Sequence, residues 1–250
     1  MLRFIVFILF LFLPCTLFLG GKSLDNTPDS AERTAASDVE AYASLYRSMQ
    51  LEGVVNWKAF RQAVAGYYKI DNRKREVLTL IDFSRPSTAK RLFVFDMRER
   101  KVLFSSVVSH GKNSGDNYAT SFSNEYGSYK SSLGFYLTES TYQGKNGYSL
   151  ILNGLEKGIN DRAKERAIVV HGANYCSPSV AVSTGRLGRS FGCPALPPSL
   201  AKPIINTIKD GTLLYIYAND KEYLSQSTIL STGRPISPNS IIALNSLIRE

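Results

Sequence analysis

The sequence predicts a mainly β domain preceded by a small helical extension. Between residues 77 and 218, about seven short runs rich in β-branched and aromatic residues are separated by polar turns, as is typical of strands. Before them, apolar residues recur at spacings of three and four, as in amphipathic helices. Hydrophobic residues make up 44% and charged residues 20% of the 250, which is an ordinary globular composition. The length therefore suits one good-sized domain with an appended helical segment.

The first 23 residues are set apart by their composition. Arg3 precedes an unbroken apolar run over residues 4–19, and Gly-Gly-Lys-Ser follows. This run is shorter than the roughly 20 residues that span a bilayer comfortably, so residues 1–23 are predicted to be a cleaved export signal. The alternative is an uncleaved N-terminal anchor that places residues 4–19 in a membrane. Either interpretation puts the rest of the chain outside the cytoplasm.

The remaining elements follow in order along the chain. Residues 24–37 are small and polar and are predicted to be a linker, and residues 38–76 form the helical extension. The β domain spans 77–218 and includes a short helix that ends at Gly211. Residues 219–250 are a C-terminal tail with a terminal helix from about Asn239. The strand-like runs are EVLTLIDF, RLFVFDM, KVLFSSVVS, LGFYLTES, YSLILNG, RAIVVHG and TLLYIYA.

The charge balance narrows the choice of partner. The formal net charge of +9 suits an anionic envelope polymer or an anionic membrane surface. No run of Lys and Arg interleaved with aromatic residues occurs, and the chain is expected outside the cytoplasm, so we expect no nucleic-acid partner. The alternative is a solvated basic surface without a specific partner.

The strongest chemical signal is a cysteine in the glycine-bracketed stretch GRSFGCPAL. Cys193 follows His171, which closes the apolar run AIVV, by 22 residues. A thiol needs a nearby base to become a nucleophile, and a histidine at a strand end suits that role. The N–H groups of Gly192 and Cys193 are candidates for an oxyanion hole. Two other interpretations stay open: a disulfide between Cys176 and Cys193 in an oxidising compartment, and a histidine that only caps a strand.

The same stretches resemble a known family. RAIVVHGANY followed by GRSFGCPAL is similar to the active-site signature of the L,D-transpeptidases of bacterial cell walls, which have the YkuD-like fold. SSLGFYL and IINTIKDGTLLYIY match further segments of that family in the same order, and the resemblance is closest to its murein L,D-transpeptidase catalytic domain branch. Two departures are visible. Phe191 stands where the family has a histidine, and the arginine that usually follows the cysteine is missing.

The resemblance implies a β-sandwich or barrel with short helices and assigns roles to eight residues. The catalytic residues are Cys193 and His171; the oxyanion or supporting residues are Gly192, Ser190 and Gly172; and the substrate-binding residues are Arg189, His110 and Tyr136. Arg189 is the candidate to replace the missing arginine, and a solvated loop charge is its alternative. His110 is expected to line the cleft, with a plain surface turn as its alternative.

The implied reaction is acyl transfer on peptidoglycan tetrapeptide stems in the periplasm or cell envelope of a bacterium. Cys193 forms a thioester with the third stem residue and D-alanine leaves. The acceptor is a neighbouring stem amine, a protein lysine or water, so an L,D-carboxypeptidase is one alternative. A non-catalytic wall-binding module with a Cys176–Cys193 disulfide is another. We expect no cofactor and no metal, because two histidines without a nearby carboxylate cluster make a poor zinc site.

Overall fold

A computed structural model describes residues 30–231 of the chain. The predicted signal or anchor at 1–23 and the predicted helix from Asn239 lie outside the described residues. Within them, the helices are α1 (Ser30–Ser48), α2 (Trp57–Lys69), α3 (Pro178–Thr184), α4 (Pro198–Ile208) and α5 (Lys221–Gln226). The strands are β1 (Val77–Asp82), β2 (Leu92–Asp96), β3 (Lys101–Ser106), β4 (Gly134–Gly144), β5 (Gly147–Gly154), β6 (Val169–Gly172), β7 (Ala195–Leu196) and β8 (Leu213–Tyr217). No helix among these is long and apolar enough to cross a membrane.

All eight strands belong to one sheet, in the order β3-β2-β1-β8-β4-β5-β6-β7. The pairs β1–β8 and β6–β7 are parallel and the others are antiparallel. The chain that continues from β3 forms bridges to the other end of the sheet, where Ser109 pairs with Ala195 and Gly111 pairs with Ser190. The sheet therefore curls round almost to closure, and β6, β7 and residues 109–111 meet along one seam.

The mainly β prediction is confirmed, and the seven predicted runs correspond to seven of the eight strands. The strand without a prediction is β7, which contains only Ala195 and Leu196. Two residues cannot show an alternating pattern, so nothing in the sequence distinguishes them from a loop. Their strand geometry comes from pairing with His171 and Gly172 on one side and with Ser109 on the other.

The N-terminal helices pack onto the sheet. Asn56 caps α2 by accepting hydrogen bonds from the backbone N–H groups of Lys58 and Ala59. The ring of Phe60 meets that of Phe95 edge-on at 5.6 Å, which joins α2 to β2.

The predicted linker at 24–37 needs a correction, because α1 begins at Ser30. The stretch SAERTAAS carries too few apolar residues for a periodic signal, yet Ala, Glu and Arg all favour helix.

The predicted tail at 219–250 also needs a correction, because its first part is docked against the domain. Asp220 caps α5 by accepting from the Tyr223 N–H, and the Tyr223 side chain is buried. The carboxylate of Glu156, itself only 1% exposed, accepts hydrogen bonds from Phe135 N (2.8 Å), the Tyr223 hydroxyl (3.1 Å) and the Ser227 hydroxyl. This one carboxylate ties β4 to α5 and to the residue that follows it. Burial raises the pKa of Glu156, and these three donors oppose the rise.

Replacing Glu156 by alanine is expected to destabilise the fold by roughly 3–5 kcal/mol, because three buried donors lose their acceptor. Urea unfolding of the full chain measures the change. Glu222→Ala, which removes an exposed carboxylate from the helix that Glu156 holds, is the matched control and is expected to stay within about 0.5 kcal/mol of the parent chain. Equal stability of the two variants would contradict the role given to Glu156.

Candidate active site

Cys193 lies in a turn, residues 188–194, that leads from α3 into β7; we call it the cysteine turn. Its backbone rests on the segment after β3, because Ser190 N donates to His110 O (2.9 Å) and Lys112 N donates to Ser190 O (2.8 Å). Gly192 has a φ of +128°, a conformation that residues with a side chain avoid. A Cβ at Gly192 would also lie 2.8 Å from Lys130 O. The turn thus requires glycine immediately before the cysteine.

Two serines hold the cysteine turn from the inside. The Ser190 hydroxyl donates to Cys193 O (2.6 Å) and accepts from Gly192 N (3.0 Å). The Ser131 hydroxyl donates to Gly192 O (3.0 Å) and accepts from Gly111 N (3.0 Å). Ser190 thus bonds to the residue before the cysteine and to the cysteine itself, and its supporting role in the reaction stays a prediction. The expectation for Gly192 needs a correction, since its N–H is already bonded to Ser190 and is not free to serve an oxyanion in this conformation.

The Cys193 thiol is nearly buried, with 8% of the residue exposed. Its Sγ accepts from Val169 N (3.4 Å), and its S–H points to Ala167 O (3.6 Å). Burial raises the pKa of the thiol, while the Val169 N–H and the positive charge of Arg166 oppose the rise. Cys176 and Cys193 are both free thiols, so no disulfide joins them in this structure. Burial raises the pKa of Cys176 to about 11.

His171 is held in one tautomer by its neighbour. It lies on β6, paired with Ala195 of β7 and Ser149 of β5, and only 4% of it is exposed. Its Nδ1 lies 2.9 Å from the Gly172 carbonyl, which can only accept, so Nδ1 carries the proton and Nε2 keeps a lone pair. Burial lowers the pKa of the ring, so His171 is neutral at pH 7. The geometry suits a base that is oriented by a backbone carbonyl.

The cysteine and the histidine lie on neighbouring segments of the parallel β6–β7 pair. The register puts His171 opposite Ala195, two residues after Cys193. In the described structure, both side chains bond to backbone groups rather than to each other. Burial favours the uncharged form of each. Cys193 and His171 are therefore a neutral thiol and a neutral imidazole rather than a thiolate–imidazolium ion pair.

A cavity of about 550 Å³ lies beside His171. It is lined by residues from the β4–β5 turn, the end of β6 and the start of α4, among them Lys145, Tyr148, Tyr175 and Lys202. Its lining contains two lysines and no Asp or Glu. A basic, partly aromatic cavity suits a ligand that carries a carboxylate.

The three predicted substrate-binding residues are not part of this cavity. The Arg189 guanidinium donates to Gly115 O (2.9 Å) and to the Asp116 carboxylate (2.8 Å), and so fastens the cysteine turn to the preceding loop. The Tyr136 side chain is fully buried and its hydroxyl donates to Ser132 O (3.0 Å). The burial of Tyr136 corrects the expectation that it binds substrate, whereas the Arg189 side chain is 25% exposed and its substrate-binding role stays a prediction.

His110 is also corrected, because it is fully buried rather than at the edge of the cleft. The buried Arg91 guanidinium donates to its Nδ1 (2.8 Å), so Nε2 carries the proton and faces Gly115 O (3.3 Å). Burial and the Arg91 charge lower the pKa of His110 to about 4. The polar residues of SHGKNSG do not indicate that His110 is buried. Its burial depends on Arg91 and Phe83, which are distant in the sequence.

Three residues near the site carried no sequence signal of their own. Ser131 lies 62 positions before Cys193 along the chain, and Arg166 is the first residue of the strand-like run RAIVVHG. Tyr175, which lines the cavity and interacts electrostatically with Cys193, follows the histidine in HGANY. Among residues 30–231, no group of three or more His, Cys, Asp or Glu side chains is arranged to hold a metal ion.

Comparison with known proteins gives a family match and several structural neighbours. The family model of the L,D-transpeptidase catalytic domain matches residues 51–217. An L,D-transpeptidase from Mycobacterium smegmatis is 16% identical, with 57% of this chain and 59% of that chain covered and a TM-score of 0.36. L,D-transpeptidase 1 of Mycobacterium tuberculosis is 14% identical, with 57% and 61% covered and a TM-score of 0.33. The helical cell shape determining protein Pgp2 of Campylobacter jejuni is 14% identical, with 64% and 56% covered and a TM-score of 0.38.

The chain therefore spans about three fifths of the length of these solved structures. No curated protein matches the chain.

Proposed function

Because the chain belongs to the L,D-transpeptidase catalytic domain family, whose model matches residues 51–217, we propose that it is a cysteine-dependent acyltransferase acting on peptidoglycan stem peptides. The family indicates a peptidoglycan-related enzyme of the cell envelope. The proposal assigns Cys193 as the nucleophile and His171 as the general base. The observation that carries it is the 2.9 Å contact between His171 Nδ1 and the Gly172 carbonyl, which leaves Nε2 able to accept a proton on the strand beside the cysteine turn.

The first half of the proposed reaction forms a thioester. Cys193 turns away from the Ala167 carbonyl, gives its thiol proton to Nε2 of His171, and attacks the carbonyl carbon of the third stem residue. The C–N bond to the terminal D-alanine breaks, and the imidazolium returns the proton to the leaving amine. Because burial keeps both groups neutral beforehand, proton transfer accompanies the attack.

The second half transfers the acyl group. An amine attacks the thioester, loses its proton to His171, and releases the Cys193 thiol as the new amide bond forms. We assign the Cys193 N–H as the donor to the developing oxyanion, since the Gly192 N–H is bonded to Ser190. The basic cavity beside His171 suits the carboxylate of the leaving D-alanine or of an incoming stem. Water in place of the amine gives L,D-carboxypeptidase activity at the same site.

The proposal is tested by incubating the full chain with a disaccharide tetrapeptide and measuring its intact mass. The expected result is a covalent adduct whose mass is that of the substrate minus D-alanine, with free D-alanine in solution. A crosslinked dimer of stems among the products identifies an amine acceptor, and a tripeptide stem identifies water. A chain that is folded, has free thiols and gives neither adduct nor D-alanine would overturn the proposal in favour of a wall-binding protein.

A further inference from the structure

Arg166 holds a long loop against the cysteine turn. Its guanidinium donates to four oxygens of the segment 123–132: Ser123 O (2.7 Å), Lys130 O (2.6 Å), Ser128 Oγ (3.3 Å) and Ser132 Oγ. The side chain is partly buried by these contacts. One arginine thus fixes four points of the 123–132 loop, of which Lys130 O also faces Gly192 of the cysteine turn.

The positive charge of Arg166 is left uncompensated by these bonds. All four acceptors are neutral carbonyl or hydroxyl oxygens, and no carboxylate forms an ion pair with Arg166 in the described part of the chain. Arg162, one turn earlier, differs because its guanidinium pairs with Glu125 and Glu165. Arginine stays protonated at neutral pH even when burial lowers its pKa. Arg162 is therefore paired directly with two carboxylates, whereas Arg166 makes no direct ion pair and feels the charge of Glu125 only at a distance.

The Arg166 guanidinium lies next to the residue that precedes the nucleophile. A Cβ built on Gly192 would be 3.4 Å from Nη2 of Arg166, so the guanidinium borders the cysteine turn directly. Within residues 30–231, the charge of Arg166 opposes the rise in the pKa of the Cys193 thiol, and the phenol of Tyr175 is neutral because burial raises its pKa. His171 is neutral as well. Arg166 is consequently the positive side chain that acts on the sulfur.

We propose that Arg166 is a positioning residue for the acyl transfer: it anchors the 123–132 loop on the cysteine turn and stabilises negative charge on Cys193 as the thiol loses its proton. The inference rests on the proposed function, since stabilising the Cys193 thiolate matters only if Cys193 acts as a nucleophile. The charge of Arg166 compensates in part for the burial that disfavours the Cys193 thiolate. Because the hydrogen-bond acceptors of Arg166 are neutral, they do not cancel that charge.

The test is the pH dependence of Cys193 alkylation by iodoacetamide in the full chain, followed by mass spectrometry of the Cys193 peptide. In Arg166→Gln, the thiol pKa is expected to rise and alkylation near neutral pH to slow about tenfold. Arg166→Lys keeps the charge and is expected to recover most of the rate. Arg162→Gln is the matched control, because it removes a half-buried arginine whose charge is already paired with Glu125 and Glu165, and its profile is expected to follow the parent chain.

A second variant separates charge from anchoring without touching Arg166. Ser128→Asp places a carboxylate where Ser128 now accepts from Nη2, which tightens the anchor but neutralises the cation. Slower alkylation than in Ser128→Asn supports the charge role. Equal pH profiles for Ser128→Asp and Ser128→Asn, or for Arg166→Gln and the parent chain, would overturn the inference. Because iodoacetamide replaces peptidoglycan, these outcomes do not depend on whether the chain forms the acyl adduct.

Discussion

Replacing Cys193 by alanine is expected to abolish the acyl adduct and to reduce D-alanine release by on the order of 10⁴-fold or more. Alanine offers no atom that can form the thioester, and the loss of a nucleophile is among the largest single effects known in enzymes. Stability should change little, because the sulfur makes only long hydrogen bonds to Ala167 O and Val169 N. D-alanine release from the disaccharide tetrapeptide, with intact mass of the protein, measures the effect.

Cys176→Ala is the matched control for this variant. Cys176 is also a free, buried thiol, and burial raises its pKa to about 11, so it has little thiolate at neutral pH. The control is expected to form the adduct and to release D-alanine like the parent chain. If Cys193→Ala kept its adduct while Cys176→Ala lost it, the nucleophile would have been assigned to the wrong cysteine.

Replacing His171 by glutamine is expected to slow D-alanine release by about 10²–10⁴-fold, because the amide cannot take the thiol proton. The parent chain should also show a characteristic acid limb in its rate against pH. The base works when neutral, and burial lowers the pKa of His171 below its usual 6.5. Activity is therefore expected to persist as the pH falls through 6.5 and to decline only below it, and this limb should disappear in His171→Gln.

The control for the histidine is His110→Gln, which removes the other histidine of the chain. His110 is buried against Arg91 and has a pKa of about 4, so it does not titrate in the range of the expected limb. The folded fraction of this variant should keep the acid limb of the parent chain. A limb at or above pH 6.5 in the parent chain, or one that survives in His171→Gln, would contradict the assignment of His171 as the base.

The sheet could be predicted because its strands are long enough to carry their own pattern. The runs at β1, β2 and β8 consist mostly of leucine, β-branched and aromatic residues, and β1 and β8 are buried at every position. The family could be identified because its motifs occur in the right order along one chain. β7 could not be predicted, because two residues cannot show a periodic pattern. The docking of α5 could not be predicted either, because it depends on Glu156, which is distant in sequence.

The candidate site divides along the same line. Features that depend on neighbouring residues could be predicted: Gly192 precedes the cysteine where a positive φ is needed, and His171 ends an apolar run at a strand terminus. Contacts between residues far apart in the sequence could not be predicted. His110 and Tyr136 looked available for substrate, yet the fold buries both, and Arg189 bonds to Asp116 on another loop.

By itself, the sequence determined the β-rich fold, the family, and the choice of Cys193 and His171 as the candidate pair, because each rests on local pattern or on motif order. Only the tertiary structure decided which charges act at the site. It placed the Arg166 guanidinium beside Gly192 of the cysteine turn, because the near-closure of the sheet brings residues 123–132, 166 and 192 together. Burial and charge are sums over neighbours that are far apart in sequence, so they exist only once the chain is folded.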